Sequence, residues 1–142
     1  MERYDPLKLD NQLCFPLYAA SREVIKQYHP LLSELDITYT QYVALMVLWE
    51  NVEISAKELG NRLHLDSGTL TPLLKSLEKK GLITRRRSEE DERVLMVRIT
   101  KEGEALKEKT LDIPFKMASC IRLDRQEAAE LHRLLYKVMN SF

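Results

Sequence analysis

The chain of 142 residues is short of most things that would define a membrane, secreted or metal-binding protein. No apolar run approaches the roughly 18 residues of a membrane span. The opening "MERYDPLKLD" lacks the long apolar segment of a secretory signal, so a cytoplasmic protein with no membrane partner is the expectation. There are two cysteines, Cys14 and Cys120, far apart in sequence, which argues against a disulfide-stapled secreted fold. Neither has a Cys or His neighbour at ligand spacing, and His29, His64 and His132 are scattered, so no metal and no cofactor are expected. Four glycines and five prolines leave little room for long loops, and there is no internal repeat. Net charge is absent too: 22 basic residues balance 22 acidic ones.

The balance hides a local excess. Between Lys75 and Arg87 stand Lys75, Lys79, Lys80, Arg85, Arg86 and Arg87 against Glu78 alone, a net charge of +5. Charge gathered in one place is what phosphate contact requires, although such a run is as often a solvated face.

Hydrophobic spacing supplies the elements. Leu13, Leu17, Ala20, Val24, Tyr28, Leu31 and Leu35 recur at three or four residues and predict a long first helix from about Asp10, its N-cap, to Leu35. Pro16 and Pro30 on that stripe predict kinks or an early break. "TYTQYVALMVLWENVEI" predicts a buried helix capped at Thr40 and ending near Glu50. Ser55 and Glu58 stand in capping-box relation and open a short helix at Ala56. "DSGTLTPLLKSLEKKGL" gives another, stopped at Gly81, and the turn between them is only a few residues around Leu65 to Ser67. Two helices joined so tightly are a helix-turn-helix candidate. "LITRRR" and "VLMVRIT", β-branched and separated by "SEEDE", predict a two-stranded hairpin. A hairpin in that place is the wing of a winged helix. Thr100 caps a further helix, broken near Pro114 and resuming through Cys120. Asp124 and Glu127 open the last, whose apolar face is Leu131, Leu134, Leu135 and Val138.

The fold expected is therefore mainly α with a two-stranded β wing. One domain spans 1–142, with a winged helix-turn-helix over about residues 39–100 and long outer helices, about 1–38 and 101–142, available for dimerisation. Small side chains at the front of the second short helix, Ser67, Gly68, Thr69 and Thr71, suit close approach to bases or phosphates. Pro72 lies inside that helix or starts it, and presents a ring to a groove. Lys75, Lys79 and Lys80 suit phosphates, and Arg85, Arg86 and Arg87 suit the DNA backbone. At the wing tip Arg93 is the candidate for the minor groove, with Asp91 holding its guanidinium; in another setting the two would be an ordinary exposed loop pair.

Cys14 admits two readings. A lone helical cysteine is more often inert packing. This one sits in the first turns of a helix, where unbonded N–H groups and the helix dipole favour an anion, with Tyr18 one turn on and Tyr28 and Tyr39 available as hydroxyl donors. "KMASCIRL" around Cys120 carries no activating signature.

"LDSGTLTPLLKSLEKKGLITRRRSEEDERVLMVRIT", with its Asp91-Glu92-Arg93 element, resembles the recognition helix and wing of MarR-type transcription regulators. "LCFPLYAASRE" with "ITYTQYVAL" is similar to the organic hydroperoxide-sensing, OhrR-like branch. The resemblance covers nearly the whole chain. It implies a homodimer with interlocked terminal helices, bound to double-stranded DNA at a palindromic operator, with organic hydroperoxide as oxidant. It implies that Cys14 is the redox-sensing thiol, held by Tyr28 and Tyr39 of the other subunit, and that oxidation releases DNA. In the two-cysteine members an intersubunit disulfide forms, for which Cys120 is the candidate; otherwise Cys120 is a bystander and a low-molecular-weight thiol is the partner. The competing readings are a MarR-type regulator released by a small aromatic ligand with Cys14 incidental, a thiol peroxidase, which leaves the winged helix unexplained, and a dimerisation scaffold without operator binding.

Overall fold

The computed structural model describes residues 2–142, which form two compact units, one ending at Leu111 and the other running Asp112–Phe142. The first begins with two short 3-10 turns, Asp5–Leu7 and Leu9–Asn11, followed by helix α1, Cys14–Ser33. The long first helix thus starts later than its periodicity suggests, and Asp10 is not its cap. Asn11 and Gln12 explain why: their side-chain amides donate back to the carbonyls of Asp5, Pro6 and Lys8, holding the segment in turns. Pro16 consequently falls in the first turn of α1, where its missing N–H has no helical acceptor to lose, so it is not a break. The helix also runs through Pro30 for one more turn. Asp36, in the left-handed region at φ 55°, then turns the chain.

Helix α2, Tyr39–Asn51, is capped at Thr38, not Thr40. Thr38 and Gln41 complete a capping box: the Gln41 amide donates to Thr38 Oγ1 at 3.3 Å and the Thr38 amide to Gln41 Oε1 at 3.0 Å. As its composition predicts, α2 is the core of the unit, with Tyr42, Ala44, Leu45, Val47 and Leu48 buried. Around it lie α3, Ala56–Leu63, and α4, Ser67–Lys79, which contribute Leu59, Leu70, Leu73, Leu74 and Leu77 to the same core. Each such side chain removed from water contributes about 1.5–3 kcal/mol before entropy is counted.

The wing differs from expectation in one respect. Strands β2, Ile83–Arg87, and β3, Leu95–Ile99, pair antiparallel from Ile83↔Ile99 to Arg87↔Leu95. A third strand, β1, Glu53–Ser55, pairs with the other edge of β3, giving the order β1-β3-β2. The sheet has three strands, not two. Three residues are too few for alternation to show in sequence.

Thr100 caps α5, Lys101–Lys109, as expected. Its Gly103 lies against backbone: a Cβ there would stand 2.3 Å from the Leu82 carbonyl oxygen and 2.7 Å from Ile99 Cγ1. Gly103 also accepts a 3.0 Å hydrogen bond from Trp49 Nε1. Gly103→Ala should therefore force α5 away and cost about 1–3 kcal/mol, read as a lowered denaturant midpoint.

In the second unit, α6, Ile113–Cys120, starts with Pro114 in its first turn, and α7, Arg125–Met139, opens on the full Asp124/Glu127 capping box. None of α7's residues is buried. Among the described residues no helix is long and apolar enough to cross a membrane.

Candidate nucleic-acid interface and thiol site

The three-residue turn 64–66 sets α4 directly after α3, with His64 left-handed at φ 55°. Asp66 caps α4 by accepting the Thr69 amide at 2.8 Å. Leucines at 70, 73, 74 and 77 take one face into the core, and this periodicity turns Ser67, Gly68, Thr69, Thr71, Pro72, Lys75 and Lys79 outward together. Pro72 lies inside the helix and so leaves the Gly68 carbonyl without its usual helical donor.

At the wing tip Arg93 and Asp91 form a two-pronged pair: Nε donates to Oδ1 at 3.1 Å and Nη2 to Oδ2 at 3.2 Å, and the Arg93 amide also reaches Oδ1 at 3.0 Å. These bonds hold the Asp91 carboxyl below its ordinary range. The Arg93 side chain is 90% exposed, so the guanidinium is oriented and presented rather than consumed.

The three consecutive arginines are not equivalent. Arg85 turns onto α4 and pairs with Glu78 at 3.0 Å, which holds that carboxyl below its usual range. Arg86 donates to Glu53 on β1 at 2.6 Å, and Arg98 joins the same carboxylate at 2.9 Å. Arg87 takes part in no ion pair among the described residues. Lys80 is the clearest correction: its ammonium turns inward to Gln41 Oε1, at 3.0 Å, and to the Asp36 carbonyl, and does not stand with Lys75 and Lys79 on the outward face of α4.

The thiols are both exposed. Cys14 is the first residue of α1, beside Leu13, Phe15 and Leu17, which stand uncovered. Tyr18, also exposed, is engaged by Arg22, whose Nη1 donates to its hydroxyl at 3.4 Å and whose guanidinium lies 5.3 Å over the ring. Tyr28 and Tyr39 meet each other with ring centroids 4.8 Å apart, and Tyr42 stands 6.0 and 6.4 Å from them. Burial, with smaller contributions from the neighbouring phenols, pushes Tyr42 up to about 12; burial raises Tyr28 and Tyr39 as well. All three hydroxyls thus stay protonated as donors through the physiological range. Tyr28 and Tyr39 also line a cleft of about 350 Å³, with Ile25, Leu32, Ile37 and Lys80.

Because the folded protein resists ionising Tyr42, its stability should be intact below the free tyrosine pKa of 10 and fall from there to about pH 12. Alkaline titration followed by circular dichroism tests this, and Tyr42→Phe should flatten that part of the curve.

Sequence reasoning named Tyr28 and Tyr39 but missed Tyr42, Gln41 and Glu53. Tyr42 carried a signal, one helical turn beyond Tyr39. Cys14 does not meet Tyr28 within one chain. Fourteen residues along a helix are about 21 Å, beyond any hydrogen bond.

A small-polar helix face set by a tight turn, beside a hairpin tipped with an oriented arginine, defines a winged-helix DNA-reading protein. The family model described as transcriptional regulator SarA/Rot matches residues 26–110. The organic hydroperoxide resistance transcriptional regulator of Bacillus subtilis (strain 168) is 50% identical over 139 residues, 98% of this chain and 95% of that one. Reduced AbfR bound to DNA superposes with a TM-score of 0.82 at 32% identity, covering 99% of this chain and 96% of that one. AbfR in its disulfide form superposes at 0.63 and 33% identity, covering 98% and 92%. The chain belongs to the MarR-like winged-helix transcriptional regulators of the SarA/Rot family, in the OhrR-like branch.

Proposed function

We propose that this protein is a repressor that holds a palindromic operator as a homodimer and lets go when an organic hydroperoxide oxidises Cys14. The observation that carries the reading is the separation within α1: an exposed thiol opens the helix, and Tyr28, whose ring packs on Tyr39 at the start of α2, stands too far along it to meet that thiol except from a second copy. The reduced DNA-bound and disulfide forms of AbfR, and the relative's role in organic hydroperoxide resistance, support it.

The DNA side rests on the outward face of α4, from Ser67 to Lys79, and on Arg93. Arg93→Ala should weaken operator binding by about 1–3 kcal/mol if the wing reads a groove. Affinity should also fall steeply with salt, as displaced counterions require. An unchanged affinity in a filter-binding titration would remove the wing from the reading.

On the thiol side, the Cys14 thiolate attacks the terminal peroxide oxygen. The O–O bond breaks, the alkoxide takes a proton and leaves as an alcohol, and the sulfur becomes a sulfenic acid. A second thiol then displaces the hydroxyl, which leaves as water, and an S–S bond forms. That thiol is Cys120 of the partner subunit or a low-molecular-weight thiol. Operator binding before and after one equivalent of an organic hydroperoxide, with mass spectrometry of both cysteines, tests the whole sequence. Release without any change in mass at Cys14 would refute it. A non-reducing gel separates the endings: a covalent dimer that disappears in Cys120→Ser, or a monomer bearing a small thiol adduct.

A further inference from the structure

The tyrosine cleft and the outward face of α4 are separate places, and the proposed function requires that one inform the other. A buried polar residue lies between them. Gln41 is 4% exposed in an otherwise apolar stretch of α2. Its Oε1 accepts from the Thr38 amide and from Lys80 Nζ, both at 3.0 Å, and its Nε2 donates to Ser76 Oγ at 2.7 Å. Lys80 in turn donates to the Asp36 carbonyl. A buried amide with its hydrogen bonds satisfied is held in place, because breaking any one strands a polar atom away from water.

The partners of that amide fall in two groups. Asp36, Thr38, Tyr39 and Gln41 form the corner between α1 and α2, and the Thr38–Gln41 capping box closes it into a small rigid ring. Tyr39 is the first residue after the cap, inside that ring, and Asp36, Thr38, Tyr39 and Lys80 all line the cleft. Ser76 and Lys80 belong to the last turn of α4 and its C-cap. We infer that Gln41, with Lys80 and Ser76, is the linkage that carries a displacement of Tyr39 to the recognition helix. These are positioning residues, their polar atoms engaged with one another and with the corner between α1 and α2. The lever is favourable. Ser76 stands eight residues from Gly68, about 12 Å along α4, so a small shift at the linked end swings the groove-facing end.

This inference rests on the tyrosine cleft being the sensing place, and its test is made without oxidant so that the two can fail separately. In reducing buffer, operator Kd is measured for Tyr39→Ala, for the double variant Ser76→Ala with Lys80→Met, and for their combination. Tyr39→Ala should weaken binding roughly fivefold in the parent background and less than about twofold once the linkage is cut, a gap within the range of coupled neighbours. Gln41→Glu is the conservative control. Its carboxylate accepts from Thr38, Lys80 and the Ser76 hydroxyl, so the Tyr39 effect should persist. If Tyr39→Ala acts equally in both backgrounds, or has no effect in the parent, the linkage is refuted. Should the double variant fail to fold by circular dichroism, Lys80→Met alone, at an exposed position, gives the same comparison with half the linkage removed. A second arm adds one equivalent of organic hydroperoxide. Parent protein that oxidises at Cys14 and stays on DNA defeats the proposed function while the reduced cycle still decides the linkage.

Discussion

Cys14→Ser is expected to bind operator as tightly as the parent protein and to remain bound in organic hydroperoxide. The substitution leaves the first turn of α1 intact. Cys14 is exposed there, and serine is close to it in size. A hydroxyl offers similar hydrogen bonding to a tyrosine donor but has no thiolate to attack an O–O bond. The parent should lose at least about tenfold in operator affinity on oxidation, a free-energy change of roughly 1.4 kcal/mol or more. The serine variant should lose none. Tyr28→Phe and Tyr39→Phe should fall between the two, because each removes one donor whose hydroxyl burial keeps protonated. Fluorescence anisotropy of a labelled operator, with and without hydroperoxide, measures all four proteins. A serine variant that leaves DNA as readily as the parent would show that Cys14 is not the sensor.

Most of the winged helix was legible because each element announces itself over several turns. The leucines of α4, the Gly81 stop and the β-branched strands each follow one period and one set of caps. What was missed is short or long-range. The strand Glu53–Ser55 exists only because β3 offers an edge, so no local period marks it. The start of α1 was misplaced because an apolar stripe continues through Leu13, while Asn11 and Gln12 bind backbone in a way that spacing does not reveal. The cap of α2 was open to reading: Thr38-x-x-Gln41 is a capping box, and the nearer Thr40 obscured it. Within the candidate site, Cys14, Tyr28 and Tyr39 were visible as residue types. Charge alone makes Lys80 a phosphate contact, and only the fold shows its ammonium turned to Gln41 and Asp36. Gln41 could not have been found by charge or period, since its partners lie 35 and 39 residues away.

Introducing charge on α7, as Leu131→Glu with Leu134→Glu, is expected to give a monomer that no longer holds operator. The helix is well founded by itself: a full capping box at Asp124 and Glu127, and an Arg133–Glu130 pair at 2.6 Å along its polar face. Its apolar face has no such provision. Leu131 is 45% exposed, Leu134 42% and Val138 41%, all on one stripe. At the other end of the chain Leu13 stands 84% exposed. In the proposed homodimer a second copy would supply identical stripes to cover these exposed apolar faces. Burying one such leucine is worth about 1.5–3 kcal/mol, and a symmetric interface counts each twice, so two carboxylates per chain should reverse the balance. DNA binding should fail with dimerisation, because two linked winged helices gain about 10²–10⁴ in affinity over one from effective concentration alone. Analytical ultracentrifugation and anisotropy should therefore change together, while circular dichroism of the first unit stays that of a folded winged helix. A variant that sediments as a dimer with parental operator affinity would place the dimer contacts elsewhere on the chain.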